Sequence, residues 1–449
     1  MTTLAERLSW APARLAELLA RYNIPGGSVA VWHDGEEYAI ASGMANTTAR
    51  IKATTDTLFL IGSITKVYTT TLIMQLVDAG VVELDAPVHT YVPELRLADE
   101  EATATVTVRH LLTHTSGITG DYFPNTGRGD DAVERCVASL GEVNMLYRPG
   151  EMFSYCNSGF ILAGRLVEKL TGGTWDAALR SRLLDPIGST HFATLPEEAL
   201  VHRVGVAHAP HPETRAQRPG EMWPEVRSGG PAGFTPWATT GDLLRFARLH
   251  LSGGLAPDGA RVLSAKSVAA MQAQEVRDTL SSSADSDGWG LGWARFRYGA
   301  DEPVVGHNGG SSAVLRVLPQ RNLAIASLTN ASGGALVGHQ MIDAIVNELY
   351  GLRIPTMPEA PALALDLRPY AGVYRHHTFA HHVTAGDGLL TLHDASGYWP
   401  SVTLRPLDAT HFRTEMPGSD VPGRAAFLQP DANGHPRYLH ISGRACVRE

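Results

Sequence analysis

Ser63-Ile64-Thr65-Lys66 places a hydroxyl and an amine three residues apart, a spacing that sets both on one face of a helix. The segment before it, Thr57-Leu58-Phe59-Leu60-Ile61-Gly62, is apolar and ends in glycine, and Val67 to Ala79 after it is a helix-compatible run closed by Gly80. The pattern predicts Ser63 at a helix start. A serine hydroxyl is a weak nucleophile until a base takes its proton, and a lysine held away from water can do so once its pKa falls. Ser-x-x-Lys is short enough to arise by chance. The chain nevertheless has only four lysines, Lys52, Lys66, Lys169 and Lys266, among 37 basic residues, which makes the pairing less casual.

Two later segments add weight. Arg148-Pro149-Gly150-Glu151-Met152-Phe153-Ser154-Tyr155-Cys156-Asn157-Ser158-Gly159 reads as a turn and a Tyr-x-Asn that opens an apolar helix, Phe160 to Leu170. Pro303-Val304-Val305-Gly306-His307-Asn308-Gly309-Gly310-Ser311-Ser312 reads as a strand that becomes glycine-rich, with Ala313 to Leu318 as its partner. Glycines there let backbone N–H groups approach a ligand closely.

Taken in order, Ser63-x-x-Lys66, Tyr155-x-Asn157 and His307-x-Gly309 resemble the three motifs of the penicillin-recognising serine hydrolases, specifically the class C β-lactamase-like branch. Phe59-Leu60-Ile61-Gly62, the segment Val108 to Gly117 and Gly229-Gly230-Pro231-Ala232-Gly233 are similar to further landmarks of that family, and the resemblance runs from about Leu15 to Leu349. It implies an α/β fold, a central antiparallel sheet flanked by helices with an all-helical subdomain. It also implies roles: Ser63 as the nucleophile that forms an acyl-enzyme, Lys66 and Tyr155 sharing the base work, and the N–H groups of Ser63 and Gly310 as the oxyanion hole. A tyrosine beside a lysine ammonium is expected to ionise more easily. Asn157 is expected to bond the substrate's acyl-side amide or hold Lys66, with His307, Asn308 and Gly309 as further substrate-binding residues.

The third motif departs from that of β-lactamases and transpeptidases, which the resemblance gives a lysine at position 307 and a threonine at position 308. Histidine is mostly neutral at pH 7 and supplies no fixed cation for a carboxylate. It is similar to the arrangement in the family's esterases and D-amino-acid-specific peptidases and amidases, where it can bond the tyrosine hydroxyl. The expected activity is therefore carboxylesterase or D-amino-acid amidase/peptidase chemistry on a small ester or amide. The alternatives are transfer to an amine or alcohol in biosynthesis, a β-lactamase or D-Ala-D-Ala carboxypeptidase, and a non-catalytic acyl-trapping module.

The 449 residues, 44% of them hydrophobic, exceed one ordinary domain. A β-lactamase-like domain is expected over 1–352, its helical subdomain at about 84–236, a proline-punctuated linker over 353–362 and a C-terminal β domain over 363–449. In the first domain a helix is predicted over Ala11 to Tyr22 and a hairpin from Gly27-His33 and Glu37-Ala41. Later strands are predicted at Trp289-Trp293, Val304-Gly306, Val314-Leu318 and Leu323-Leu328, with a helix over Leu336 to Leu349. Short alternating runs after the linker predict a small antiparallel barrel, similar to a lipocalin-like appendage of some family members, that covers the cleft, mediates homo-oligomerisation or is a passive module.

A net charge of −9 argues against nucleic-acid or anionic-membrane partners, and no stretch of 18 apolar residues spans a membrane. The first residues lack the basic-then-apolar pattern of an export signal, so a cytoplasmic location is expected. Cys136, Cys156 and Cys446 stand in no metal or redox spacing, and Cys156 reads as a small buried filler. No cofactor is called for. The pairs His376-His377 and His381-His382 suggest a metal, but strand neighbours face opposite ways and no Cys or carboxylate cluster completes a ligand set. His110 and His114 read as structural, whereas Asp121, Tyr122, Phe123, Trp223 and Trp237 lie in loops able to shape a pocket.

Overall fold

A computed structural model describes residues 2–449 except 212–213, 215, 221–225, 281–282, 362, 396–399 and 418–421. Strands β1 (Gly26–His33), β2 (Glu36–Asn46), β3 (Ile51–Lys52), β4 (Ser286–Trp289), β5 (Ala294–Tyr298), β6 (Glu302–Gly309), β7 (Ala313–Leu318) and β8 (Leu323–Thr329) form one sheet. Their order is β3-β2-β1-β8-β7-β6-β5-β4, and β1 pairs antiparallel with both β2 and β8. The N-terminal hairpin thus joins strands from nearly 300 residues later, a closure that local pattern shows only as separate strands. Helices α1 (Ala11–Arg21) and α5 (Gly334–Tyr350) pack on one face through Leu15, Leu18, Val337, Met341 and Ile345, all buried with Val29, Val31 and Ile325.

The opposite face carries the second core, in which α2 (Thr65–Asp78), α3 (Asn157–Thr171) and α4 (Thr240–Leu251) meet. Helix α2 is buried on nearly every side, including Val67, Tyr68, Leu72, Ile73 and Leu76. The helix lies within the core although Thr65, Thr69, Thr70 and Thr71 are polar, and Lys66 in its first turn is consequently cut off from water. The intervening chain is mainly helical, and it adds elements absent from the sequence reading: a three-stranded sheet of Phe59–Leu60, Trp237–Ala238 and Phe192–Ala193, and a hairpin of His208–Pro210 with Gln217–Pro219.

Of the segment Trp289 to Trp293, only Trp289 is strand, the last residue of β4 paired with Ala294; Gly290 to Trp293 form the turn between β4 and β5, with Gly292 in the left-handed region at φ 74°. Alternating aromatics with glycine fit both readings, and the close approach of Thr70 to Gly292 selects the turn.

The C-terminal chain closes into an eight-stranded antiparallel barrel, Gly372–Arg375, Ala380–Gly386, Leu389–Asp394, Val402–Pro406, His411–Glu415, Gly423–Pro430, Pro436–Ile441 and Arg444–Arg448. The first and last strands pair at Tyr374 and Arg448, which removes the free edges. Leu390, Leu404, Phe412, Phe427, Leu439 and Cys446 fill its interior as a core. Its last hairpin grips the chain before α3: Tyr155 N–H donates to Gly443 O (2.7 Å), Ala445 N–H to Ser154 Oγ (3.1 Å), and Tyr438 Oη to Leu146 O (3.0 Å). No helix among the described residues is long and apolar enough to cross a membrane.

Candidate active site

Ser63 lies in a single 3-10 turn, Gly62–Ile64, that runs straight into α2. Gly62 takes φ 53°, and the turn is pinned by two close approaches that tolerate no side chain. A Cβ on Gly309 would lie 1.9 Å from Ile61 O, and one on Gly233 would lie 2.2 Å from Gly62 O. These contacts bring the end of β6 and the Gly229–Gly233 segment against the serine, and Gly310, at φ 55°, turns away beside it.

Lys66 Nζ lies 3.0 Å from Ser63 Oγ and donates to Ala232 O at 2.6 Å. The ammonium position is flanked by the rings of Tyr155 and Phe160, at 4.8 and 5.7 Å. Burial first, and the Arg444 charge second, hold the Lys66 amine well below its usual range. Tyr155 shares a hydrogen bond with Ser63, yet its phenol is raised, because burial outweighs that bond and Arg444. The expectation of an easily ionised tyrosine is thus corrected: the low dielectric that lowers the lysine also raises the phenol and keeps it protonated.

Asn157 is the first residue of α3, and its Nδ2 donates to Asp121 Oδ1 at 2.7 Å. Its alternative role of holding Lys66 gives way to that contact. Asp121 in turn accepts from Arg444 of the barrel, Nε to Oδ2 at 2.5 Å, and Arg444 lies 5.2 Å from the Tyr155 ring centre. Arg444 is the residue that sequence reasoning missed, since nothing in a barrel strand far downstream points to Tyr155. His307 lies 6.1 Å ring to ring from Tyr155, but its Nδ1 is 2.7 Å from Asn308 O, not on the tyrosine hydroxyl. A carbonyl accepts, so Nδ1 carries the proton; burial foremost, then Lys66, lower the imidazole to about 3.

Two cavities meet at Ser63 and Gly310. One, of about 840 Å³, is mostly apolar, lined by Leu60, Phe123, Phe234, Phe379, Leu392 and Met416, with Asn157 and Asp121 at its inner end. The other, of about 550 Å³, holds Tyr155, His307, Asn308, Arg295, Arg424 and Arg444, and no carboxylate among its described lining residues. The barrel walls both through Val402, Ile441, Ser442 and Arg444.

Of the loop residues, Asp121 and Phe123 reach the pocket. Tyr122 bonds Glu142 instead, and Trp237 is buried with Leu58 and Ala193; Trp223 lies outside the described residues. His110 completes a capping box with Thr107, and His114 Nδ1 accepts from Cys156 N–H while its ring lies 4.3 Å from that of Tyr155. Cys156 is buried, and it does more than fill: its Sγ accepts the Gly159 N–H and caps α3. No metal-holding cluster occurs among the described residues.

A sequence profile described as Beta-lactamase matches residues 12–348. The chain is 42% identical to Penicillin-binding protein 4 of Amycolatopsis lactamdurans over 80% of its own length and 96% of that protein's. Its fold is similar to that of SurE crystallised with D-Leu, at 27% identity and TM-score 0.76 across 99% of both chains. The D-amino acid amidase of Ochrobactrum anthropi SV3 in complex with D-phenylalanine shares the fold at 22% identity and TM-score 0.63, over 76% of this chain and 99% of that one. The chain belongs to the Beta-lactamase family of serine hydrolases, a membership its sequence profile and close relative establish together.

Proposed function

We propose that Ser63 forms an acyl-enzyme with an ester or amide whose acyl part lies in the apolar cavity, and that the acyl group then passes to water or to an amine or alcohol. The observation that carries this reading is the Lys66 amine at 3.0 Å from Ser63 Oγ, wholly buried and depressed in pKa. A neutral amine there takes the Ser63 proton as the Oγ–C bond forms. The oxyanion gains charge between the N–H groups of Ser63 and Gly310, where each donor is worth about 3–4 kcal/mol to the transition state. The C–X bond of the leaving group then breaks, and the Tyr155 hydroxyl relays the proton that X needs, passing its own to X as it takes back from Lys66 the one that left Ser63. The Asn157 amide oxygen, left open by the Asp121 contact through Nδ2, accepts an N–H of the acyl residue. The D-Leu bound to SurE supports an acyl residue of D configuration.

Transfer to an amine or alcohol is favoured over simple hydrolysis by a specific feature, the second cavity on the far side of Ser63, large enough for an acceptor. Intact mass tests both readings, after brief mixing of wild type and Ser63→Ala with p-nitrophenyl esters, D-amino-acid amides and a β-lactam, with and without an amine. A Ser63-dependent adduct that clears in water marks a hydrolase; one that clears only with amine marks a transferase. No adduct with any of them would sink the acyl-enzyme reading.

A further inference from the structure

Arg316 sits on β7 with no exposed surface, directly across the ladder from Gly306, the residue before the third motif. Gly306 makes the room: a Cβ there would lie 2.3 Å from Leu315 O, 2.8 Å from Arg316 Cδ and 3.1 Å from its Nη1. The guanidinium donates from Nε to Tyr298 Oη (3.2 Å) and from Nη1 to both Leu315 O and Asn308 Oδ1 (2.9 Å each), and it lies 3.9 Å over the Phe296 ring. Nη2 is buried without a hydrogen-bond partner among the described residues. A buried cation held this way is costly, and well-packed apolar residues commonly replace one without loss of stability. Stability alone does not account for it.

The chemistry of donors and acceptors gives it a task. Arginine donates and never accepts, so the Asn308 amide must present its oxygen to Arg316, which turns the two N–H groups of Nδ2 the other way. Asn308 lines the polar cavity. Its amide is thereby fixed as a donor toward that cavity, whose Arg295, Arg424 and Arg444 are each ion-paired with an aspartate outside its lining, Asp287, Asp278 and Asp121, so that Asn308 adds a neutral donor to a wall with no carboxylate among its described lining residues.

We propose that Arg316 is a positioning residue that locks Asn308 as a hydrogen-bond donor, so that the polar cavity selects leaving or accepting groups bearing a carboxylate or carboxamide oxygen close to the reacting carbonyl. The proposal rests on the acyl-enzyme reading above. Arg316 touches no reacting atom and acts through Asn308 alone.

The test is a set of three thioesters of one acyl group, N-acetyl-D-leucine, differing only in the thiol: thioglycolate, thioglycolamide and ethanethiol. Attack by Ser63 forms the Oγ–C bond and breaks C–S, and the thiol leaves with the proton. Wild type is expected to favour the first two over the third in kcat/KM. Arg316→Met should shrink that preference by roughly tenfold or more, the scale of a hydrogen bond to a charged group, and Arg316→Lys should restore part of it. Asn308→Leu should lose the same preference, and the double variant should lose no more than either single one.

A merely structural role for Arg316 would depress all three thioesters alike and leave the ratio intact, which overturns the proposal. Should Arg316→Met not fold, Asn308→Asp decides. It removes the donor and repels a carboxylate, so the kcat/KM ratio of thioglycolate to thioglycolamide should fall at least tenfold from its wild-type value; an unchanged ratio overturns the proposal. Equal rates on all three in wild type would reject the proposal alone. No acylation by any of them would reject the acyl-enzyme reading, and the proposal with it.

Discussion

Two walls enclose Ser63, and they were built by different means. The inner wall consists of Ser63, Lys66, Tyr155 and Asn157, each at the start of a helix or in the turn before one, so that a few neighbouring residues fix its direction. The outer wall is the barrel, whose Val402, Ile441, Ser442 and Arg444 reach the serine only because the last hairpin docks on Ser154 and Tyr155. The two walls join at one carboxylate, Asp121, which accepts from Asn157 on one side and Arg444 on the other. On the proposed mechanism the inner wall carries the chemistry, while the outer wall sets the dielectric and charge around it.

The sharpest way to separate the walls is to remove the nucleophile. Ser63→Ala should lower kcat by roughly four to six orders of magnitude, with the far-UV circular dichroism unchanged, because residues that act as one unit fail together. Residual turnover above that range would move the nucleophile elsewhere. Lys66→Ala comes next, at roughly three orders or more in the acylation rate, measured by stopped-flow release of p-nitrophenol. Burial and Arg444 hold the Lys66 amine well below its usual range. If Lys66 is the base, the kcat/KM profile should rise with pH through a limb displaced below the ordinary lysine range, and Lys66→Ala should lose that limb.

The outer wall is tested by Arg444→Ala, with an expected loss of about ten- to a hundredfold in kcat/KM. Burial is the first cause of the depressed Lys66 pKa and Arg444 the second, so its removal should also move the acid limb of the profile to higher pH. Arg444→Lys should keep the limb in place while losing the two-pronged contact with Asp121. Stability supplies an independent readout. Burial raises the Asp121 carboxyl, but Arg444, with His376 and the Asn157 hydrogen bond, together outweigh it and the net pKa is lowered. A group so lowered stabilises the fold above its unfolded pKa, about 3.9, and that contribution is lost as pH falls through the folded value. Urea midpoints should fall more steeply below about pH 4 in wild type than in Arg444→Ala. Parallel curves for the two proteins would break the idea that Asp121 joins the walls.

The same contrast governs what the sequence could reveal. Ser63, Lys66, Tyr155, Asn157 and the His307 motif were legible because their spacing reflects helix starts and a glycine-rich strand end, and their resemblance to a family gave the order. Five of the barrel strands were legible as alternating runs, from Tyr370-Tyr374 to Tyr438-Ile441. Ala380–Gly386, His411–Glu415 and Arg444–Arg448 were not, because polar and charged residues fill much of each. Arg444 escaped for a further reason: its partner, Asp121, is 323 positions away, and no local pattern encodes a docking contact. The Tyr155 phenol escaped similarly, since its direction depends on how deeply the barrel and the Trp289 ring bury it, not on the nearby lysine alone.

Cys156 offers the finest probe of the inner wall, because it stands between Tyr155 and Asn157 yet points away from the reacting atoms. Its thiol is raised to about 11, by burial before anything else, so at neutral pH it is no nucleophile. What it does is structural: Sγ accepts the Gly159 N–H at 3.2 Å, one of the free donors at the start of α3, and its own N–H is held by His114 Nδ1. Cys156→Ala should therefore cost about 1 kcal/mol of stability, the usual price of a lost helix cap, and change kcat/KM less than threefold. Cys156→Ser should keep a cap and fall between the two. If Cys156→Ala instead lowers kcat strongly while its urea midpoint stays put, the cap is not an idle support. The start of α3 would then be setting the line of Asn157 toward the substrate, and the inner wall would depend on its helix ends as closely as the outer wall depends on docking.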